Sequence, residues 1–230
     1  MSIYAIGDLH LSFSQDKPMD VFGANWINHF DKLRANWSAQ VSHDDTVLLA
    51  GDHSWALKLE EAIPDLEFIG SLPGKKILIK GNHDLWWQSL SKINKILPAG
   101  ISLLQNNHYS VEGVSICGTR GWICPSDDDF VSHDYKIYRR ELLRLENSLR
   151  SAKESNPEQD IIVMLHYPPF DNKKQPSDFV SLMKKYEVKT CVFGHLHGSA
   201  QNNTVEGNVD GITYHLVACE YLDFTPLLLK

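Results

Sequence analysis

The stretch Ile3-Tyr4-Ala5-Ile6-Gly7-Asp8-Leu9-His10 decides the reading of this chain. Four consecutive apolar residues closed by a glycine predict a short buried strand. An aspartate and a histidine follow it at once. The same order recurs down the chain. Thr46 to Ala50 leads into Gly51-Asp52-His53, and Lys76 to Lys80 into Gly81-Asn82-His83-Asp84. Asp160 to Leu165 leads into His166-Tyr167-Pro168, and Thr190 to Phe193 into Gly194-His195-Leu196-His197. Polar clusters just beyond the carboxyl ends of strands lie where α/β sheets carry their sites.

Helical patterns separate these strands. Trp26, Phe30, Leu33 and Trp37 recur at helical spacing and predict a helix over 25–40. Further helices are expected over 55–69, interrupted or restarted near Pro64, over 84–97 and over 176–187. One more is expected over 134–153, with Tyr138, Leu142, Leu145 and Leu149 on one face and Asn156-Pro157 as its stop. Short strands are expected at 101–104, 108–112 and 114–118. The segment 119–133, with Asp127-Asp128-Asp129, reads as a long loop. From 201 to 229 the chain reads as a β meander, with strands at 203–206, 212–218 and 224–229 and a hairpin turn at Gly207 to Gly211. The class is therefore α/β, and residues 1–230 are expected to form one domain.

Composition narrows the function. The 230 residues are 43% hydrophobic, enough for a sizeable core. A net charge of −7, from 22 Lys+Arg against 29 Asp+Glu, argues against long duplex nucleic acid as a partner. Cys117, Cys124, Cys191 and Cys219 form no C-x-x-C pair, so a reduced, cytoplasmic setting is the simpler expectation. The start of the sequence has no basic segment followed by a long apolar run, so no signal peptide is expected. No apolar stretch approaches a membrane span, so no membrane partner is expected.

The residue types in the clusters are metal ligands. Asp8 and His10 are two apart, as are His195 and His197. In extended backbone such pairs point to one side, so each pair can face one cavity while Leu9 and Leu196 face the core. The ordered set D-x-H, G-D, G-N-H-D, a lone histidine after an apolar strand, and G-H-x-H resembles the calcineurin-like metallophosphoesterase superfamily. The resemblance runs from Asp8 to His197 and is closest to small single-domain bacterial members.

That resemblance implies an α/β sandwich of two mixed β-sheets flanked by helices. It implies one metal held by Asp8, His10, Asp52 and His197, and a second by Asp52, Asn82, His166 and His195, with Asp52 bridging. The cofactors would be two divalent metal ions. Oxygen and nitrogen ligands without thiolate suit Mn²⁺, the first choice here, or Fe, Zn²⁺, Co²⁺ or Ni²⁺ better than Ca²⁺. Asp8, Asp52 and a bridging hydroxide would remove three of four positive charges, and the remainder favours a phosphate oxyanion. The implied reaction is hydrolysis of a small phosphate ester by attack of the metal-bridging hydroxide. His83 would protonate the leaving oxygen, with Asp84 binding its other ring nitrogen.

Other residues have quieter readings. Arg120 is a candidate phosphate clamp or a structural salt bridge. Trp122, Trp55, Trp86 and Trp87 line a cleft or belong to the core. His53 touches substrate or supports the ligands. His29, His43, His108, His133 and His215 read as surface or core residues, and the aspartate run as a solvated loop. The absence of a Lys/Arg cluster near the clusters tilts the reading to phosphodiesters over monoesters. The alternative function is a catalytically weak or inactive scaffold for protein binding; a nuclease acting on a short single strand is a third reading.

Overall fold

The computed structural model describes residues 1–230. The chain forms two compact units: unit 1 comprises Met1–Leu103 and Val217–Lys230, and unit 2 comprises Leu104–Leu216. Each is built on its own mixed sheet, of five and six strands respectively, flanked by helices.

In unit 1, β1 (Ile3–Ile6), β2 (Thr46–Leu49), β3 (Lys75–Leu78) and β4 (Ile101–Leu103) run parallel in that order. β1 and β2 are buried along their whole length, which is why they read as unbroken apolar runs rather than alternating ones. Between the strands lie α1 (His29–Gln40), α2 (Ile63–Ser71) and the single turn α3 (Leu90–Ile93). Their apolar faces bury Leu33, Trp37, Leu66, Ile69 and Ile93 in the core with Tyr4, Val47 and Leu49. Because β1, β2 and β3 are parallel, their carboxyl ends share one edge of the sheet. Gly7-Asp8, Gly51-Asp52 and Gly81-Asn82 therefore leave from that edge.

In unit 2, β6 (Val114–Gly118), β7 (Asp160–Met164), β8 (Thr190–Phe193) and β10 (Ile212–Leu216) are parallel neighbours. β5 (Tyr109–Val111) and β9 (Gly207–Val209) add antiparallel edges. The flanking helices are α4 (Ser132–Ser155) and α5 (Asp178–Lys185). α5 starts on Ser177, whose hydroxyl accepts the Phe179 N–H, with Asp178 in its first turn and Lys184 and Lys185 in its last. Here the shared carboxyl edge carries Thr119-Arg120, His166 and His195.

Four sequence expectations change. Of the helix expected over 55–69, only the 3₁₀ turn Glu60–Ala62 forms before the expected restart at Pro64; the α-helix begins at Ile63 with Pro64 in its first turn, where the missing N–H costs no hydrogen bond. The helix expected over 84–97 shrinks to Leu90–Ile93, because the Asp84 carboxylate binds backbone and indole N–H groups around it instead of leaving its turn to helix. The buried face of α4 carries Glu141 and Ser148 where Leu142 was expected. The tail is no meander: β10 joins β8 in parallel, and β11 (Leu227–Leu228) pairs antiparallel with β1 in the other sheet. Its hairpin turn is the pair Asp210-Gly211, both at positive φ (50° and 85°), so Gly207 is free to be strand. No helix is long and apolar enough to cross a membrane.

One core residue makes unit 1 sensitive to pH. Lys76 is 2% exposed and its ammonium donates to the Leu72 and Gly70 carbonyls at the end of α2. Burial pushes its pKa from 10.5 down to about 8. Between these values the unfolded chain holds a proton that the folded chain has released, so stability rises with pH at this group. The buried cysteine thiols, whose pKa values burial raises, act in the opposite sense over the same range. The comparison with Lys76→Met isolates the lysine. Urea titrations should show wild type gaining about 1–3 kcal/mol on Lys76→Met between pH 8 and 10.5; a difference independent of pH would refute the assignment.

Candidate metal centre

The ligand loops of unit 1 continue the pairing of the strands they leave. Asp8 N–H donates to the Gly51 carbonyl (2.9 Å), His10 N–H to Asp52 (3.0 Å), and Leu11 N–H to His53 (3.0 Å). The Trp55 N–H returns to Leu11 at 2.9 Å. Along this zipper the backbone is not extended. Asp8, His10 and Asp52 have φ of 56°, 46° and 53°. Left-handed conformations at residues other than glycine cost roughly 1–3 kcal/mol each and concentrate at functional sites. The alternation expected for Asp8 and His10 is therefore replaced: left-handed turns, rather than an extended i, i+2 pair, bring the two side chains together.

The result is a buried cluster. The ligand atoms of Asp8 lie within 4.8 Å of those of His10 and of Asp52, and His10 Nε2 is 3.9 Å from Asp52 Oδ2. Asp8, His10 and Asp52 are all at most 2% exposed. Asp52 Oδ1 also accepts the His83 N–H at 2.8 Å. A Cβ on Gly81 would stand 2.0 Å from that oxygen and 2.2 Å from Asp52 N, so only glycine lets the third loop approach. Asn82 is half-buried on this loop and His83 is exposed. The His83 ring lies 4.5 Å from Trp55 and 5.7 Å from His10, and Trp55 stacks on His10 at 4.8 Å.

Asp84 does something other than expected. Its Oδ2 accepts the Asp52 and Gly81 N–H groups (3.0 and 2.8 Å). Its Oδ1 accepts His53 and Ser54 N–H (2.9 and 3.3 Å) and the Trp86 indole (3.0 Å). It thus fixes the backbone of two ligand loops, and the His83 ring is not among its donors. His53 is likewise corrected. It is fully buried, with Nε2 2.8 Å from the Ile79 carbonyl, so it supports the loop and has no surface to offer substrate. No motif marks Cys219, which lies 211 positions from Asp8. Its thiol, kept protonated by burial, donates to the Asp8 carbonyl at 2.9 Å. Its N–H bonds to the Gly7 carbonyl at 2.9 Å.

Unit 2 presents its own imidazoles. His166 is fully buried, and its ring lies 5.1 Å from that of His195, which has φ 73°. The Arg120 carbonyl accepts the N–H groups of both His166 (3.0 Å) and Tyr167 (2.9 Å), and Tyr167 packs 4.1 Å from the His195 ring. His197 and Leu196 are both half-buried, so Leu196 is not the core residue expected. Arg120 is structurally engaged. Its guanidinium stacks on Trp122 at 4.3 Å and lies 3.7 Å from Glu141, a fully buried carboxylate. Glu141 also takes Arg140 (3.1 Å), Arg144 (3.0 Å) and the Thr119 hydroxyl (2.6 Å). Burial pulls the Arg120 pKa down and Glu141 opposes the pull. Trp122 is held by Asp134 (3.0 Å) and packs 5.0 Å from Tyr167.

Asp84→Asn would set an NH₂ group against N–H donors that now face a carboxylate. We expect a loss of about 2–4 kcal/mol in urea denaturation. Stability within about 0.5 kcal/mol of wild type would mean that Asp84 does not organise these loops.

Two of the solved structures that share the fold do so over nearly the whole chain. A protein of unknown function from Aquifex aeolicus is 15% identical with a TM-score of 0.50, covering 99% of this chain and 95% of that one. The phosphopantetheinyl hydrolase PptH from Mycobacterium tuberculosis is 13% identical with a TM-score of 0.57, and the coverage is again 99% and 95%. At these identities the likeness is one of fold alone. No curated protein sequence matches the chain. The family model described as calcineurin-like phosphoesterase matches residues 1–199, a span that holds all five polar clusters. The chain belongs to the calcineurin-like phosphoesterase family.

Proposed function

We propose that this phosphoesterase-family chain hydrolyses small phosphate esters, with diesters preferred, using two divalent cations. Asp8, His10, Asp52 and His197 would hold one, and Asp52, Asn82, His166 and His195 the other, within a single catalytic domain. The observation that carries the reading is the buried gathering of Asp8, His10 and Asp52 within 4.8 Å on left-handed backbone. Two carboxylates so close in a buried place repel each other, and a divalent cation offsets that repulsion. The oxygen and imidazole donors fit Mn²⁺, proposed first, or Fe, Zn²⁺, Co²⁺ or Ni²⁺. When bound, such cations supply Lewis acidity toward a phosphoryl oxygen and a water-derived nucleophile at neutral pH.

The chain's own residues do the rest. Asp84 holds the loop of Asp52 against that of Gly81, and Cys219 holds Asp8 from the opposite flank. His83 is anchored through its N–H to Asp52 while its ring is exposed, which suits proton donation to a leaving oxygen. Arg120 is 12% exposed and committed to Glu141 and Trp122. That supports the diester preference, because a monoester brings one more negative charge to be met. The four cysteines are free and buried, which supports a reducing, cytoplasmic setting.

The test uses Mn²⁺-loaded protein on a chromogenic phosphodiester and the matching monoester. Asp52→Ala should lose both metal and turnover. His83→Asn should keep its metal and lose about 10²–10⁴-fold in kcat. Equal loss of metal and turnover in His83→Asn would make His83 a ligand. No turnover on either ester with metal bound would sink the hydrolase reading.

A further inference from the structure

Unit 2 gathers three arginines that the sequence keeps apart. Arg120 follows β6, while Arg140 and Arg144 stand one turn apart on α4. All three guanidinium groups converge on one atom, Glu141 Oε1. Arg140 donates Nε and Nη2 to it at 3.2 and 3.1 Å, and Arg144 donates Nη1 at 3.0 Å. Arg120 Nη2 lies 3.7 Å away. The other oxygen, Oε2, accepts the Thr119 hydroxyl at 2.6 Å.

The cluster has more donors and more positive charge than its carboxylate can meet. One carboxylate oxygen offers about two lone-pair sites, and Oε1 already takes N–H groups from Arg140 and Arg144 with Arg120 beside them. Three positive charges surround one negative charge. Glu141 is fully buried, and Arg120, at 12% exposure, is enough to balance it. Arg140 and Arg144 are surplus to that balance, and their charges add to the burial that lowers the Arg120 pKa.

The surplus is accessible. The Arg140 and Arg144 side chains are 49% and 30% exposed, and each carries five N–H donors. Arg140 commits two of them and Arg144 one, all to Glu141. The remaining donors open to solvent on a chain whose net charge is −7. The cluster also adjoins a proposed ligand loop of the same unit, because the Arg120 carbonyl accepts the His166 and Tyr167 N–H groups.

We propose that Arg140 and Arg144, backed by Arg120, form a second anion site that takes a phosphate-type dianion. Two guanidinium forks one helical turn apart suit the adjacent oxygens of one phosphoryl group. The phosphate comes from one of two sources: a substrate group remote from the ester being cleaved, or free inorganic phosphate. The first source rests on the hydrolase reading, and the binding rests on the cluster alone. A remote phosphate leaves the diester preference at the cleaved bond as it stands.

Calorimetry would titrate inorganic phosphate into the full chain carrying Asp52→Ala, shown by elemental analysis to be free of metal. The same titration would follow with Arg140→Gln and Arg144→Gln added. We expect phosphate to bind the first protein and to bind the second at least about tenfold more weakly. Arg140 is half exposed, so Arg140→Gln alone keeps the comparison if the double substitution does not fold, with a weakening of about threefold. Steady-state kinetics on the Mn²⁺-loaded chain, with Asp52 intact, would compare p-nitrophenyl thymidine 5′-phosphate with the same diester phosphorylated on its 3′ oxygen. A kcat/KM advantage of about tenfold for the phosphorylated diester, lost in Arg140→Gln, would assign the site to substrate. Equal turnover of the two, with phosphate bound in the calorimeter, would assign it to free phosphate. No phosphate binding to the Asp52→Ala chain, or binding unchanged by the arginine substitutions, would overturn the proposal. Phosphate binding as expected with no turnover of either diester would overturn the hydrolase reading and leave the anion site in place.

Discussion

The Asp84 carboxylate is the constraint on which the centre in unit 1 depends. Five N–H groups from two loops converge on its two oxygens. A buried carboxylate is tolerated only when its lone pairs are filled, and here they are filled by the loops that carry Asp52, Asn82 and His83. The same bonds offset the cost of the left-handed turn at Asp52. They also explain why Gly81 has no side chain. The loop is drawn so close to Asp52 that a methyl group would overlap its carboxylate.

Much of this was legible in the sequence because burial on both faces writes a simple code. β1, β2 and β8 are apolar runs ended by glycine, and their bounds fall within a residue of where the pattern placed them. The five clusters lay at strand ends for the same reason. What escaped the sequence depends on contacts between distant segments. The shortened helix after Asp84 follows from side-chain bonds that compete with helical ones. The parallel placement of β10 beside β8 is invisible to local pattern, since Ile212–Leu216 reads the same in either direction. Positive φ at Asp8 and His10 has no signal beyond the tolerance of aspartate for that region. Cys219 carries no motif, and its surroundings alone distinguish it.

Unit 2 handles its charges differently. Three arginines and a threonine hydroxyl surround Glu141, a carboxylate buried on the inner face of α4. An amphipathic reading of that helix expects leucine there and finds an acid. The acid holds Arg120, whose carbonyl in turn orients the backbone of His166 and Tyr167. The positive charge of Arg120, only 12% exposed, is thereby used for placement of a histidine-bearing loop.

Unit 1 is made from both ends of the residues described, with β11 and Cys219 joining a sheet whose other strands lie before residue 104. During translation unit 2 leaves the ribosome whole, while unit 1 waits for its edge strand and for the thiol that braces Asp8. Nascent chains arrested shortly after residue 216 therefore expose β1 as an open edge, which other chains can pair with. Residues beyond 216 thus complete the sheet edge and the brace beside the acidic cluster.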